Sequence, residues 1–256
     1  MRGIAFKGNS IAETIDYPDI SPSSEQVLIK LKSSGLCGSD FMRYKANVPN
    51  EHNGELRRPG HEPCGEIVEI GKDVTGLKVG DRIIQHHYEG CRQCNYCLTG
   101  WQQLCEVTDK QEYYGGTMHG GHGDYMVAHQ STCVILPDEL SFETGAYLAC
   151  GASTAFQALK KLQISGLETL AIFGQGPVGL AATMFGIEMG ARIIAVDISE
   201  ERLKMAKSSG AWQTVNANNG DSVAQIKELT NGLGADSTLE AAGLATTRVD
   251  AVESTR

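Results

Sequence analysis

The hydrophobic pattern changes character near residue 150. From Met1 to about Leu148, short apolar runs are interrupted every few positions by Gly, Pro or polar residues. VLIKL at 27–31, EIVEI at 66–70, RIIQ at 82–85, YMVA at 125–128 and CVIL at 133–136 are too short for helices and rich in β-formers. Short strands separated by turns predict a barrel-like β domain over 1–150.

After Cys150 the period lengthens. ASTAFQALKKL predicts a helix, followed by the apolar strand TLAIF, a glycine turn and the helix PVGLAATMFGIEMG. The strand RIIAVD, a helix through Arg202 to Lys207, a short strand near Thr214 and Val215, a helix from Ser222 to Leu229 and the strand ADSTLEAAG complete the series. This alternation predicts an α/β unit over 151–256 with a doubly wound parallel sheet. A complete dinucleotide-binding sheet joins two such halves, whereas four strand-like segments follow residue 168, so the sheet is expected to be incomplete. The last residues, TTRVDAVESTR, predict a helical turn or a frayed tail. There is no internal repeat and no low-complexity tract.

Composition narrows the function classes. With a net charge of −9 and no cluster of Lys and Arg, a nucleic-acid partner is not expected. No segment approaches the roughly 20 apolar residues of a membrane span, and the N-terminus lacks a signal-like apolar stretch. A cytoplasmic protein is expected. Its eight cysteines are then read as thiols and metal ligands rather than disulfides.

Cys91, Cys94, Cys97 and Cys105 lie close together in GCRQCNYCLTGWQQLC, a lobe spanning about residues 88–107. Four thiolates so placed can wrap a tetrahedral structural zinc. An iron–sulfur cluster begins with the same spacing but continues to a Cys-Pro pair, whereas Cys105 precedes Glu106. Free surface thiols are the remaining alternative. Three further segments carry metal-capable residues: GLCGSD with Cys37, GHEPCG with His61 and Glu62, and LACGAST with Cys150. Two thiolates and one imidazole would leave a fourth zinc position open, as a catalytic zinc needs. Cys64 and Cys133 read as small buried hydrophobes.

GQGPVG, from Gly174 through Pro177 to Gly179, follows an apolar strand and opens a helix, and Asp197 ends the next strand. That order is a dinucleotide fingerprint. Gly174 allows the tight turn, Gly176 lets pyrophosphate approach, Gly179 permits close helix packing, and Asp197 can hold the adenosine ribose and repel a 2′-phosphate.

GHEPCGEIVEIG, GLCGSD, the four-cysteine lobe, VTGLKVGDRI, CGAST and the glycine turn stand in the order found in the zinc-containing medium-chain dehydrogenase and reductase family, which the chain resembles over essentially its whole length. The resemblance implies a GroES-like catalytic domain followed by a Rossmann domain that stops short. It implies two zinc ions per chain, the catalytic one on Cys37, His61 and Cys150, with Asp40 orienting His61 and Glu62 close to the metal. Ser39 would be the proton-relay hydroxyl. Thr154 and Val178 would lie against the nicotinamide, and Arg202 beside the ribose of NAD.

The implied reaction is reversible oxidation of a small-molecule alcohol with hydride transfer to NAD. Two positions depart from the pattern. The family's relay histidine three residues after the Ser or Thr is here Met42. The pocket position four residues before the first structural cysteine is His87, next to His86, which makes the pocket more polar and points to a polyol or sugar-type substrate. The competing readings are a catalytically silent zinc-binding fragment, because the family's chain continues through further strands and a homo-oligomeric dimer edge, and a zinc-ribbon interaction module.

Overall fold

The structure, a computed structural model, describes residues 1–256 and divides into two compact units, Met1–Cys150 and Gly151–Arg256. The chain opens with a hairpin that the pattern did not mark, β1 (Arg2–Gly8) and β2 (Ile11–Asp16), turned by left-handed Asn9 and Ser10. All five marked runs of the first unit become strands: β3 (Gln26–Ser34), β4 (Pro63–Ile70), β5 (Arg82–Gln85), β6 (Tyr125–His129) and β7 (Cys133–Ile135). They form one antiparallel sheet in the order β6-β3-β4-β5-β7. Alternate side chains point to one face, so Val27, Ile29, Ile67, Ile83, Met126 and Ala128 share a fully buried core with Tyr114.

β4 starts earlier than the EIVEI run because its ladder with β3 continues through Cys64 opposite Ser33 and Pro63 opposite Ser34. Two short helices lie outside the marked pattern: α1 (Gly38–Lys45) and α2 (Phe142–Tyr147), the latter running into a π-type turn at Leu148–Ala152. Only Asp40 of α1 is buried, so the helix has no apolar stripe for a periodicity to find.

In the second unit the helix α3 (Ser153–Leu162) precedes the strands β8 (Thr169–Phe173), β9 (Arg192–Asp197), β10 (Gln213–Asn216) and β11 (Ser237–Glu240). They are parallel, in the order β10-β9-β8-β11. Every residue of β8 is buried, as a central parallel strand covered on both faces requires. The connecting helices are α4 (Pro177–Glu188), α5 (Glu200–Ser208) and α6 (Ser222–Leu229), and α7 (Ala245–Glu253) follows β11. Gly179 and Gly186 bring α4 against Ile172, Ile193 and Leu170. Ile226 of α6 and Ala251 of α7 pack with Ala171, Phe173, Ile194 and Val196, the alternate side chains of the same strands.

The expected turn or tail at the C-terminus is thus a nine-residue helix. Ala251 is its one buried residue, too little for a hydrophobic period. Long-range bonds hold the segment after it: Ala235 N–H donates to Ser254 O at 2.8 Å, and Arg256 N–H to Ala235 O at 3.0 Å.

Candidate metal centres and nucleotide site

The β3–β4 ladder brings the first centre together. Beyond the Ser34–Pro63 pair, Gly35 N–H donates to Glu62 O at 3.0 Å, which sets the end of β3 beside the start of β4. Cys37 then caps α1, His61 and Glu62 precede Pro63, and Cys150 arrives on the π-type turn after α2. The ligand atoms of Cys37, His61, Glu62 and Cys150 lie within 4.8 Å of one another. Gly35 leaves Glu62 its place, since a Cβ there would meet the Glu62 carboxylate and push that side chain aside.

Asp40 is 2% exposed and accepts from Cys37 N–H at 2.9 Å, while its other oxygen is 3.6 Å from His61 Nδ1. Burial would raise its pKa, but the neighbouring His61 imidazole and the hydrogen bond from the Cys37 N–H outweigh that and hold it below the usual carboxylate range. Hydrogen bonds from Cys150 and His61 pull the Cys37 thiol down to about 3, helped by the Ser39 N–H and hydroxyl, which reach the same sulfur. Burial would lower His61, yet Asp40 and Cys37 raise it to about 9. Burial and the Cys37 thiolate push Glu62 up to about 7. A site that holds a proton on imidazole and discourages a further anion is electrostatically suited to a cation. Its sulfur and nitrogen donors fit zinc.

The second centre is the cysteine lobe. The sulfurs of Cys91, Cys94, Cys97 and Cys105 also lie within 4.8 Å of one another. Cys94 N–H donates to Cys91 Sγ and Cys91 N–H to Cys105 Sγ, both at 3.3 Å. N–H groups of Cys97 and Glu106 bring the Cys94 thiol down to about 6. Backbone donors aimed at thiolates fit a closed all-sulfur zinc shell. Gly90 leaves room for it, since a Cβ there would strike Cys97 Sγ.

His87 lies edge-on to His61, with ring centroids 5.1 Å apart. Tyr88 and Tyr113, paired across a small two-stranded antiparallel sheet, surround it at 4.8 and 5.6 Å. Burial, then His86 and His61, pushes His87 down to about 3, and its buried Nδ1 has no hydrogen-bond partner. Tyr113 was not singled out from the sequence; the strand pairing that places it is long-range. Met42, in the place of the relay histidine, is 71% exposed on α1.

In the second unit Gly174 has φ 88°, a left-handed conformation, and a Cβ on Gly179 would strike the Gly174 carbonyl. Gly176 caps α4 and Pro177 takes its first position. Asp197 accepts from Gln175 N–H at 2.6 Å and Ser199 N–H at 2.8 Å, and Arg202 is 3.8 Å away. Gly174, Gly176, Asp197 and Arg202 line one cavity of about 240 Å³. Val178 is half-buried in the first turn of α4 and Thr154 is exposed on α3; neither lines this cavity. Sequence reasoning missed Gln175: its buried side chain donates to Ile172 O at 3.1 Å and accepts from Thr183 Oγ1 at 2.9 Å, tying the glycine turn to β8 and α4.

Two family profiles match this chain: "Alcohol dehydrogenase GroES-like domain" over residues 23–138 and "Zinc-binding dehydrogenase" over 177–256. The uncharacterized zinc-type alcohol dehydrogenase-like protein YphC of Escherichia coli (strain K12) is 39% identical over 256 residues, covering 97% of this chain and 72% of its own length. The chain belongs to the zinc-containing medium-chain dehydrogenase family. An alcohol dehydrogenase of Geobacillus stearothermophilus is 37% identical, over 89% of this chain and 66% of its own length. Among solved structures, galactitol-1-phosphate dehydrogenase from Escherichia coli superposes with a TM-score of 0.88 at 30% identity, covering all of this chain and 72% of its own. The chain therefore spans between about two thirds and three quarters of the length of these relatives. No helix is long and apolar enough to cross a membrane.

Proposed function

We propose that this chain is a zinc- and NAD-dependent dehydrogenase acting on the CH–OH group of a small alcohol, with a polyol-type substrate favoured. The observation that carries the reading is the convergence of Cys37, His61, Glu62 and Cys150, with the Ser39 hydroxyl on the same sulfur, in a chain that also holds the glycine turn and Asp197. Zinc on Cys37, His61 and Cys150 would act as a Lewis acid toward the substrate oxygen. Asp40 fixes the His61 ring from behind, as a carboxylate does for a metal-bound imidazole. Ser39 is the group placed to take the substrate's hydroxyl proton. Met42 has no group that could pass that proton on, so it would leave Ser39 by a route other than the relay histidine of the family pattern.

Asp197, on the second unit, favours NAD because its carboxylate repels a 2′-phosphate. His87 Nδ1 has no hydrogen-bond partner within the protein, and a second hydroxyl brought beside it would supply one that a purely apolar alcohol lacks. The names of the Geobacillus relative and the galactitol-1-phosphate dehydrogenase are consistent with an alcohol-bearing substrate. A second zinc on the four-cysteine lobe holds that loop, and thiolate ligands suit the reducing cytoplasm.

The test is zinc analysis followed by initial rates with NAD and with NADP over simple alcohols and polyols. NAD-linked turnover, faster with vicinal diols than with their mono-alcohols, supports the reading. Zinc retention without turnover on any alcohol would leave a silent zinc-binding fragment in its place.

A further inference from the structure

The cavity beside Asp197 is walled mostly by apolar groups, among them Phe173, Val196, Ala217 and Leu244. It also contains a polar pair with no role so far. Ser222, the first residue of α6, is 4% exposed and donates its hydroxyl to Asp250 Oδ2 on α7 at 3.1 Å. Asp250 is half-buried, and this is its only side-chain hydrogen bond, so Oδ1 is left for another donor. A carboxylate oxygen without a protein partner, at the lining of a cavity with mostly apolar walls, is free to accept from a ligand's donor.

The sheet order indicates which donor. Pyrophosphate belongs at the N-terminus of α4, after β8, and the ribose belongs on Asp197 at the end of β9. β10 is the next strand beyond β9, and α6 follows it, beginning at Ser222. Ser222 and Asp250 line the same cavity as Gly174, Gly176 and Asp197, so the base of a dinucleotide held this way would come within their reach. We propose that Asp250, held by Ser222, accepts a hydrogen bond from the exocyclic 6-amino group of adenine, so that the site reads the base as well as the ribose. The inference rests on the NAD reading above and adds a base preference to it. An apolar slot takes adenine and hypoxanthine alike, whereas a slot with an acceptor opposite position 6 rejects the base that presents a carbonyl there.

The experiment is a fluorescence titration of the zinc-loaded chain with NADH and, in parallel, with reduced nicotinamide hypoxanthine dinucleotide. NADH is expected to bind about tenfold more tightly, the worth of one hydrogen bond to a charged acceptor. Asp250→Asn, whose amide can turn to suit either base, should bring the two affinities together with an unchanged melting temperature. Should the variant fail to fold, the comparison on the native chain still decides. Equal affinity of the native chain for both dinucleotides overturns the base reading and leaves the NAD reading standing; binding of neither overturns both.

Discussion

Two glycines of the nucleotide turn should fail in different ways when changed to alanine. A Cβ on Gly179 would press on the Gly174 carbonyl, 2.8 Å from its carbon, with Ile172 Cγ2 at 3.6 Å closing the other side. The obstacle is backbone, so no rotamer relieves it, and α4 must lift off β8. Overpacking of this kind costs about 1–3 kcal/mol, which lowers the melting temperature of a unit this size by roughly 4–12 °C. At Gly176 the φ is −69° and nothing lies within 4 Å of the built Cβ. Gly176→Ala should therefore melt at or slightly above the native temperature, because alanine restricts the unfolded chain. Its methyl group nevertheless stands at the N-terminus of α4, where pyrophosphate would approach, and should weaken NADH binding by about tenfold or more. Differential scanning fluorimetry, NADH titration and zinc content, measured on both variants, separate the effects. Zinc content is the control, since the metal ligands lie in the other unit. If Gly176→Ala melts as early as Gly179→Ala, or keeps full NADH affinity, the turn is not a pyrophosphate cradle and the reasoning is wrong.

Three further outcomes are expected. Burial holds folded His87 near pKa 3 against an ordinary 6.5, so the unfolded chain takes up a proton that the folded chain refuses; the stability involved is complete above pH 6.5 and is lost as pH falls toward 3. His87→Phe should accordingly flatten the fall in melting temperature between about pH 7 and about pH 5, and an unchanged slope would contradict the burial argument. Cys97→Ser should reduce zinc from two ions per chain to one by atomic absorption and lower the melting temperature of the first unit, whereas an undiminished zinc content would count against the four-sulfur shell. Thr183→Val keeps shape but leaves the buried Gln175 Oε1 without its donor, costing about 1–3 kcal/mol in denaturant unfolding; no loss would mean that the glycine turn is not anchored through Gln175.

What could be read from the sequence follows from how each residue does its work. A zinc shell needs particular atoms, so Cys91, Cys94, Cys97 and Cys105 announced themselves by type and spacing. The glycine turn needs a left-handed residue and a missing Cβ at fixed places, and Gly174 and Gly179 met those needs locally. Gly35 works differently: its value lies in the room it leaves for Glu62, and that depends on the register of β3 against β4. Tyr113 reaches His87 only because a long-range strand pairing sets it opposite Tyr88, and Ser222 meets Asp250 only because two helices pack on the same face of the sheet. These are contacts between distant positions, and no local period records them. α1 is unmarked in the sequence, and α7 is marked there only as a helical turn or a frayed tail, for a related reason: each buries a single residue, Asp40 in one and Ala251 in the other.

The division has a functional consequence. The residues that could be read by type, Cys37, His61, Cys150, Ser39 and the glycines, are those to which the proposed function gives the metal, the proton and the cofactor. Those that emerged only from the fold, Tyr88 and Tyr113 beside His87 on one unit and Ser222 with Asp250 on the other, are not among the proposed zinc ligands. Under the function proposed above they would shape which molecule fits. Changing one of the first group should lower turnover with every substrate alike, whereas changing one of the second should shift the ranking of substrates or cofactors while turnover persists. A comparison of kcat/KM across two alcohols and two dinucleotides would therefore sort the two groups: a loss common to all combinations marks a residue of the chemistry, and a loss confined to one alcohol or one base marks a residue of recognition.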